Sequence, residues 1–384
     1  MSTKIRMGMI GGSLDGFIGS VHRMAAALDR TIELVCGAFS SDASRSLETG
    51  KALHLSENRI YGSFEEMIVQ EAQLPAEVRM QFVSIVTPNH LHAQPAVLSL
   101  TYGFHVLCEK PLAFSFQEAE QLGKHVKETG LLFGLTHTYT GYPMVKEAKD
   151  IIASGKLGII RKVIVEYPQG WLSDAIESEG QKQASWRTNP NQAGMSCCVG
   201  DIGTHAENLA EYITGLKIAE LSADVSTFVS GRKLDDDANI LLRFDNGAKG
   251  VLIASQIANG EENELKIRVY GEKGGLEWLQ SEPNTLIVKQ NDQPQQLRRA
   301  GANHLYLSEH ARAHCRIPAG HPEGYIEAMA NLYRNFASSI HAFEQKQTPN
   351  PLLDYPSIED GIRGMKFIET VIASGNKNSQ WMKL

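Results

Sequence analysis

The 384-residue sequence predicts an α/β fold in two parts: an N-terminal Rossmann-type domain with a doubly wound, mainly parallel sheet, and a C-terminal α/β domain with a large open mixed or antiparallel sheet. Three observations carry this. Up to residue 138, short apolar runs alternate with helical stretches, as βαβ units require. From residue 139 the rhythm changes, and strand signals follow one another across turns. The chain also exceeds the roughly 250–300 residues at which one hydrophobic core stops growing.

Ile5–Ile10 is an apolar run bounded by glycines, Val21–Leu28 has helical spacing, and Ile32–Phe39 is apolar again. Phe64–Ala72 reads as helix, Phe82–Thr87 (FVSIVT) as a β-branched strand, and Ala93–Tyr102 as helix. His105–Cys108 is a short strand, Ser115–Thr129 a helix with a serine as N-cap, and Leu131–Leu135 a further strand. Helical patterns then cover Val145–Ser154 and Thr204–Ile213. Strands are expected at Leu221–Val229, Ile240–Phe244, Lys249–Ser255, Leu265–Tyr270 and Leu276–Leu279, with turns such as Asp245-Asn246-Gly247. Residues 291–320 show no period, and helices return at Gly324–Phe343 and Ile358–Ser374. The expected domains are therefore 1–138 and 139–384, with a cleft between them as the expected ligand site.

A net charge of -7 speaks against non-specific nucleic-acid binding, which needs a basic surface. No apolar run approaches the ~18–20 residues of a membrane span. The opening MSTKIRMGMIGG runs straight into a strand, and a cytoplasmic protein is the expectation. The five cysteines, Cys36, Cys108, Cys197, Cys198 and Cys315, form no C-x-x-C pair and are read as reduced thiols. None of the 13 histidines falls in a metal-binding spacing, so no metal is expected.

After the first strand come Gly11, Gly12, Gly16 and Gly19. A dinucleotide fold needs glycine where the turn is tight, where backbone meets pyrophosphate and where helix packs on strand. The strict G-x-G-x-x-G is absent. Gly16-Phe17-Ile18-Gly19 supplies its second half, and Gly11 its first only in a longer loop. The pyrophosphate would lie over the helix start, whose free N–H groups favour anions. At the end of the second strand, Asp42 suits a free ribose hydroxyl, whereas Ser40, Ser41 and Arg45 would suit a 2′-phosphate. NAD is preferred, with NADP left open.

Thr87-Pro88-Asn89-His90-Leu91-His92 follows a buried strand at the carboxyl edge where open α/β sheets bind ligands, and Glu109-Lys110-Pro111 ends the next strand. Much later, Trp186-Arg187-Thr188 precedes Gly200-Asp201-Ile202-Gly203-Thr204-His205, where Asp201 and His205 share a face once helical. In this order the motifs T-P-N-x-x-H, E-K-P and D-x-x-x-H make the chain resemble the glucose–fructose oxidoreductase and inositol dehydrogenase (Gfo/Idh/MocA) family along nearly its whole length. One departure is Gly194-Met195-Ser196-Cys197-Cys198, where many relatives are glycine-rich. The resemblance implies an oxidoreductase in which Lys110 lies near the nicotinamide while Asp201 and His205 face the reacting carbon. It also implies a homo-oligomer, a dimer or tetramer. Chemistry agrees: alcohol oxidation needs a base, for which histidine is suited, and a cation can steady alkoxide charge. His205 is assigned as base, Asp201 as the polarising group and Lys110 as the electrostatic partner, with the roles of His205 and Lys110 interchangeable.

By the same resemblance His137, Tyr139 and Tyr142 face substrate, and His321, at the start of a late helix, closes over it. Residues 181–187 are dense in donors beside Trp186, fit for a sugar or cyclitol. Lys182 and Arg187 together would also suit an anionic sugar. The resemblance also implies, beside a dehydrogenase, a glycosidase that uses NAD transiently, through oxidation, elimination, hydration and reduction, on a substrate such as a sulfoquinovoside, which Lys182 and Arg187 would suit. A non-catalytic nucleotide sensor on the same fold is a third reading, against which Lys110, Asp201 and His205 speak.

Overall fold

Glycines and β-branched residues at the start of the chain resolve into parallel strands joined by helices. In the computed structural model, which describes residues 4–384, β1 (Ile5–Gly11) leads to α1 (Phe17–Leu28), β2 (Ile32–Ala38), α2 (Ala43–Ala52) and α3 (Phe64–Gln73). Then come β3 (Phe82–Val86), α4 (Ala93–Thr101), β4 (His105–Cys108), α5 (Phe116–Thr129) and β5 (Phe133–Leu135). The five strands form a parallel sheet in the order β2-β1-β3-β4-β5. Central β3 is buried at every residue, as a strand covered on both faces must be. Ser63 and Ser115 cap α3 and α5 by accepting the amides of Glu66 and Glu118, so these helix starts are written locally.

From α6 (Pro143–Ala153) the chain enters β6 (Ile160–Pro168), the short helices α7 (Lys182–Arg187) and α8 (Pro190–Ala193), and α9 (Thr204–Thr214). Strands then follow one another: β7 (Ile218–Ser226), β8 (Asp237–Phe244), β9 (Lys249–Ser255), β10 (Lys266–Gly271), β11 (Gly274–Leu279), β12 (Thr285–Gln290) and β13 (Gln296–Arg299). After α10 (Glu309–Ala313), α11 (Tyr325–Glu344) and α12 (Ile358–Gly375), β14 (Met382–Lys383) ends the chain. The nine-stranded sheet has the order β13-β12-β11-β10-β6-β9-β8-β7-β14. All its pairings are antiparallel except β6 with β9, so the sheet is mixed. Its inner face packs Val163, Val165, Leu252, Ile267 and Trp278 in the core, together with Met144 and Val145 of α6 and Leu209 of α9. The other face is open, with Leu241 and Leu297 more than half exposed.

β6 is the middle strand of this sheet, and the sequence reading contains no strand there. Arg161, Lys162 and Glu166 interrupt the apolar run, and only alternate residues such as Val163, Val165 and Tyr167 are buried. α2 also escapes periodicity. It is started by Asp42, whose carboxylate accepts the amides of Ser44 and Arg45.

The chain divides into two compact units. One comprises the residues up to Thr138 together with Tyr325–Ile362; the other comprises Tyr139–Gly324 and Arg363–Leu384. The first break agrees with the expected boundary, but residues 325–362 do not stay with the C-terminal part. The cause is hydrophobic: Met329, Tyr333, Phe336 and Ile340 of α11 share one core cluster with Met7 and Met9 of β1, Phe82 of β3 and Val21 of α1. Among the described residues no helix is long and apolar enough to cross a membrane.

Candidate active site

The glycine turn is shaped by backbone demands. Gly11 and Gly12 have φ of +81° and +76°, which side chains disfavour. A Cβ on Gly19 would stand 2.3 Å from the Gly12 Cα, so α1 can approach the turn only because residue 19 is glycine. Gly16 ends the loop, its amide bonded to the Ser13 carbonyl at 2.8 Å, and serves as N-cap of α1. No side chain caps this helix and no acidic residue lies in its first turn. The amide groups there keep their affinity for an anion. Phe17 is 69% exposed, while Ile18 packs on the core. At the end of β2, Ser40 Oγ accepts the Asp42 amide, Asp42 is occupied as a helix cap, and Arg45 lies 3.7 Å from Asp15.

Thr87, Pro88 and Asn89 form the loop after β3, with Thr87 packed 2.9 Å from where a Gly11 Cβ would be. His92 is fully buried, and its ring nitrogens meet the carbonyls of Thr87 at 2.7 Å and Pro111 at 2.8 Å. It ties the T-P-N loop to the E-K-P loop. Glu109 is buried; its Oε1 accepts from His22 Nε2 at 2.9 Å and from Thr136 Oγ1, and its Oε2 from the Lys110 amide at 3.2 Å. Burial alone would raise the Glu109 pKa, but the His22 bond and charge, then Lys110 and Thr136, pull it down to about 2. His137 is 2% exposed, and burial, with the Lys110 charge, lowers its pKa to about 3. It is a neutral ring.

The second unit carries the other half of the expected chemistry. Asp201 lies in a π-helical turn, Val199–Gly203, that leads into α9, and His205 follows in the first turn of that helix. Such wide turns recur at functional sites. Asp201 Oδ2 accepts from Arg187 Nε at 3.1 Å and Gln256 Nε2 at 3.0 Å. It is therefore not the helix N-cap, a place taken by Gly203. His205 is buried, its ring edge-on to Tyr139 at 4.9 Å between centroids and 6.3 Å from Tyr167. Tyr139 and Tyr167 are hydroxyl to hydroxyl; Tyr167 donates to Asn263 Oδ1 at 2.7 Å, and Asn263 Nδ2 donates to Tyr139 at 3.1 Å. Gln169 joins Asn263 at 2.6 Å, and Trp171 joins Gln169 at 3.0 Å. The Arg187 guanidinium lies 4.2 Å from the Trp186 ring centroid and 5.8 Å from that of Trp171. Asp235 fixes the approach to this segment by accepting the amides of Cys197 at 2.9 Å and Val199 at 2.8 Å and the Ser196 hydroxyl at 3.0 Å.

Residues 5–137 match the oxidoreductase family with an NAD-binding Rossmann fold, and residues 145–277 match the GFO/IDH/MocA C-terminal domain. An oxidoreductase from Sinorhizobium meliloti is 43% identical, with all of both chains covered and a TM-score of 0.90. The chain belongs to the Gfo/Idh/MocA oxidoreductase family. An inositol dehydrogenase homolog of Azotobacter vinelandii, solved with NADH and myo-inositol, is 35% identical over 100% of this chain and 98% of that one, with a TM-score of 0.92. Levoglucosan dehydrogenase of Pseudarthrobacter phenanthrenivorans is 28% identical over 71% of this chain and 73% of the relative.

As a family member the chain is an NAD-binding oxidoreductase. Its residues fit that cofactor: the positive-φ glycines and uncapped α1 leave backbone for a pyrophosphate. Arg45 lies 3.7 Å from Asp15 with both side chains exposed.

In the second unit the structure pairs Arg187 with Asp201 beside Trp186 and sets Tyr139 against both His205 and Tyr142. Lys182 and His321 are exposed, Trp186 stays as the platform for Arg187, and Tyr142 packs on Trp278 in the core. Lys182 and Arg187 thus do not form an uncompensated cationic pair. Cys197 and Cys198 are buried, and burial raises both thiols well above their ordinary range. Sequence reasoning missed Tyr167, Gln169, Asn263 and Gln256. The first two lie on or just beyond unread β6 and the last two in loops of no period, so no local signal marked them.

Proposed function

We propose that this oxidoreductase oxidises, and in reverse reduces, a ring carbon bearing a hydroxyl in an uncharged cyclitol or sugar. The observation that carries this is the net of Tyr139, Tyr167, Asn263 and Gln169 beside Trp171, with Arg187 neutralised by Asp201. Phenols and amides offer donors and acceptors to neighbouring hydroxyls, and an indole face suits the C–H face of a pyranose or cyclitol. The similarity to an inositol dehydrogenase homolog and to levoglucosan dehydrogenase supports the same class.

Bound NAD supplies the two-electron acceptor for the hydride. The protein's own part is proton handling and positioning. His205 takes the hydroxyl proton, Asp201 polarises the surrounding donors through Arg187 and Gln256, and the Lys110 ammonium steadies the alkoxide as its proton leaves. The anionic-sugar form of the glycosidase reading drew on Lys182 and Arg187 acting together, and that support weakens with Lys182 exposed and Arg187 paired. The open face of the nine-stranded sheet, bearing exposed Leu241 and Leu297, is proposed to join copies of the chain as a dimer or tetramer.

The test follows nicotinamide absorbance with NAD, NADP and a panel of myo-inositol, anhydrosugars, free sugars and sugar acids, with aryl glycosides in parallel. Reduced cofactor should accumulate with a neutral polyol and NAD. Aglycone release without net NADH would instead make the chain a glycosidase. Lys110→Met should lower turnover at least a hundredfold with NADH still bound; an unchanged rate would remove Lys110 from the chemistry.

A further inference from the structure

Binding a dinucleotide at the glycine turn gives α1 no reason to carry a histidine on its inner face. Yet His22 is fully buried there, and both ring nitrogens are engaged: Nε2 with Glu109 Oε1 at 2.9 Å, Nδ1 with the Tyr333 hydroxyl at 2.7 Å. Tyr333, on α11, is 1% exposed, stands edge-on to His22 at 5.7 Å between centroids, and meets Ser84 Oγ of β3 at 2.7 Å. A continuous line, Ser84–Tyr333–His22–Glu109, thus joins β3, α11 and α1 to the end of β4, all within the first unit. It ends where Glu109 Oε2 accepts the backbone N–H of Lys110. Burying a carboxylate and an imidazole costs several kcal/mol unless their partners are well placed, and apolar side chains of similar volume would fill the space more cheaply. Stability alone therefore does not account for the arrangement.

We propose that His22 and Tyr333 are positioning residues for Lys110: they fix the Glu109 carboxylate, which fixes the Lys110 backbone and so the place from which its ammonium acts. The proposal rests on the reading of Lys110 as the cation at the reacting hydroxyl.

The experiment compares the whole chain with Tyr333→Phe, His22→Gln and the double variant. Tyr333→Phe keeps the ring in the core and is the deciding variant should His22→Gln fail to fold. Three quantities are read: kcat and KM for NAD with a neutral polyol, NADH affinity by fluorescence titration, and the 13C signal of reductively dimethylated Lys110, assigned with Lys110→Arg. Each single variant should lose about fivefold to tenfold in kcat, the scale of one oriented hydrogen bond, with KM and NADH affinity within about twofold. The double variant should lose less than the product of the two, and the Lys110 signal should shift in all three. An unmoved Lys110 signal with wild-type kcat and only a lowered Tm would make the line a purely structural feature. NADH affinity falling in step with kcat would assign it to the glycine turn and overturn the proposal equally. Should the wild type turn over no polyol while the Lys110 signal still shifts, the positioning role stands and the dehydrogenase reading is what fails.

Discussion

At the scale of single residues, charge in this protein is governed by what each group touches. Arg187, flanked by Trp186 and Trp171, has its charge met by Asp201. Asp201→Asn should therefore lower turnover of a neutral polyol and improve the relative KM for a sugar acid, read by steady-state kinetics on the pair. An unaltered preference would show that Arg187 does not face substrate. The buried histidines predict the pH response. His137 and His105 have pKa values lowered by burial to about 3 and about 4 from 6.5. His105 Nδ1 also accepts the Leu132 amide at 3.0 Å, a bond that a proton on that nitrogen would abolish. Both rings stay neutral when folded, so their contribution is complete above pH about 6.5 and is lost as pH falls toward those lowered values. Glu109, depressed from 4.5 to about 2, adds a loss of the same sign at lower pH, between those two values. By about pH 5 each histidine should remove on the order of 2 kcal/mol. Denaturant melts from neutral to acid pH should show stability falling through this window, less steeply in His105→Asn.

At the scale of elements, function depends on how helices begin. α1 starts without a side-chain cap beside two positive-φ glycines, whereas α2, α3 and α5 are capped by Asp42, Ser63 and Ser115. Gly19→Ala brings a methyl to 2.3 Å from backbone that cannot give way, so α1 must shift. NADH affinity should drop at least tenfold with a loss of about 1–3 kcal/mol in stability, measured by fluorescence titration and denaturant melts. Retained affinity would separate the helix from the cofactor. The glycine spacing, T-P-N-x-x-H, E-K-P and D-x-x-x-H were all legible because they lie in strand–turn–helix contexts that depend on local backbone. β6 was not, because its charged alternate residues face the open side of the sheet and its burial comes from elements distant in sequence, β9 and β10 beside it and α9 against its inner face.

At the scale of the whole molecule, the first unit is discontinuous in sequence. Met329, Tyr333, Phe336 and Ile340 are each no more than 1% exposed. At about 1.5–3 kcal/mol per buried large apolar side chain, they supply roughly 6–12 kcal/mol, comparable with the whole stability of a domain. A fragment ending at residue 138 should therefore lack a cooperative melt, while one that also carries residues 325–362 through a short linker should regain it. Cooperative unfolding of the shorter fragment would show that α11 is dispensable. By itself the sequence determined the α/β class, the cofactor turn and the family, and it nominated Lys110, Asp201 and His205 for the chemistry, since these rest on periodicity and short motifs that backbone chemistry dictates. Only the tertiary structure decided that Arg187 is neutralised, that His92 is a tie between loops, that Tyr167 and Asn263 join Tyr139, and that His22 reaches Glu109. The last two join residues far apart in the chain, and the nearer pairs, Arg187 with Asp201 and His92 with Pro111, still meet across intervening segments of the chain. Packing brings such groups together, and packing leaves no local spacing to read.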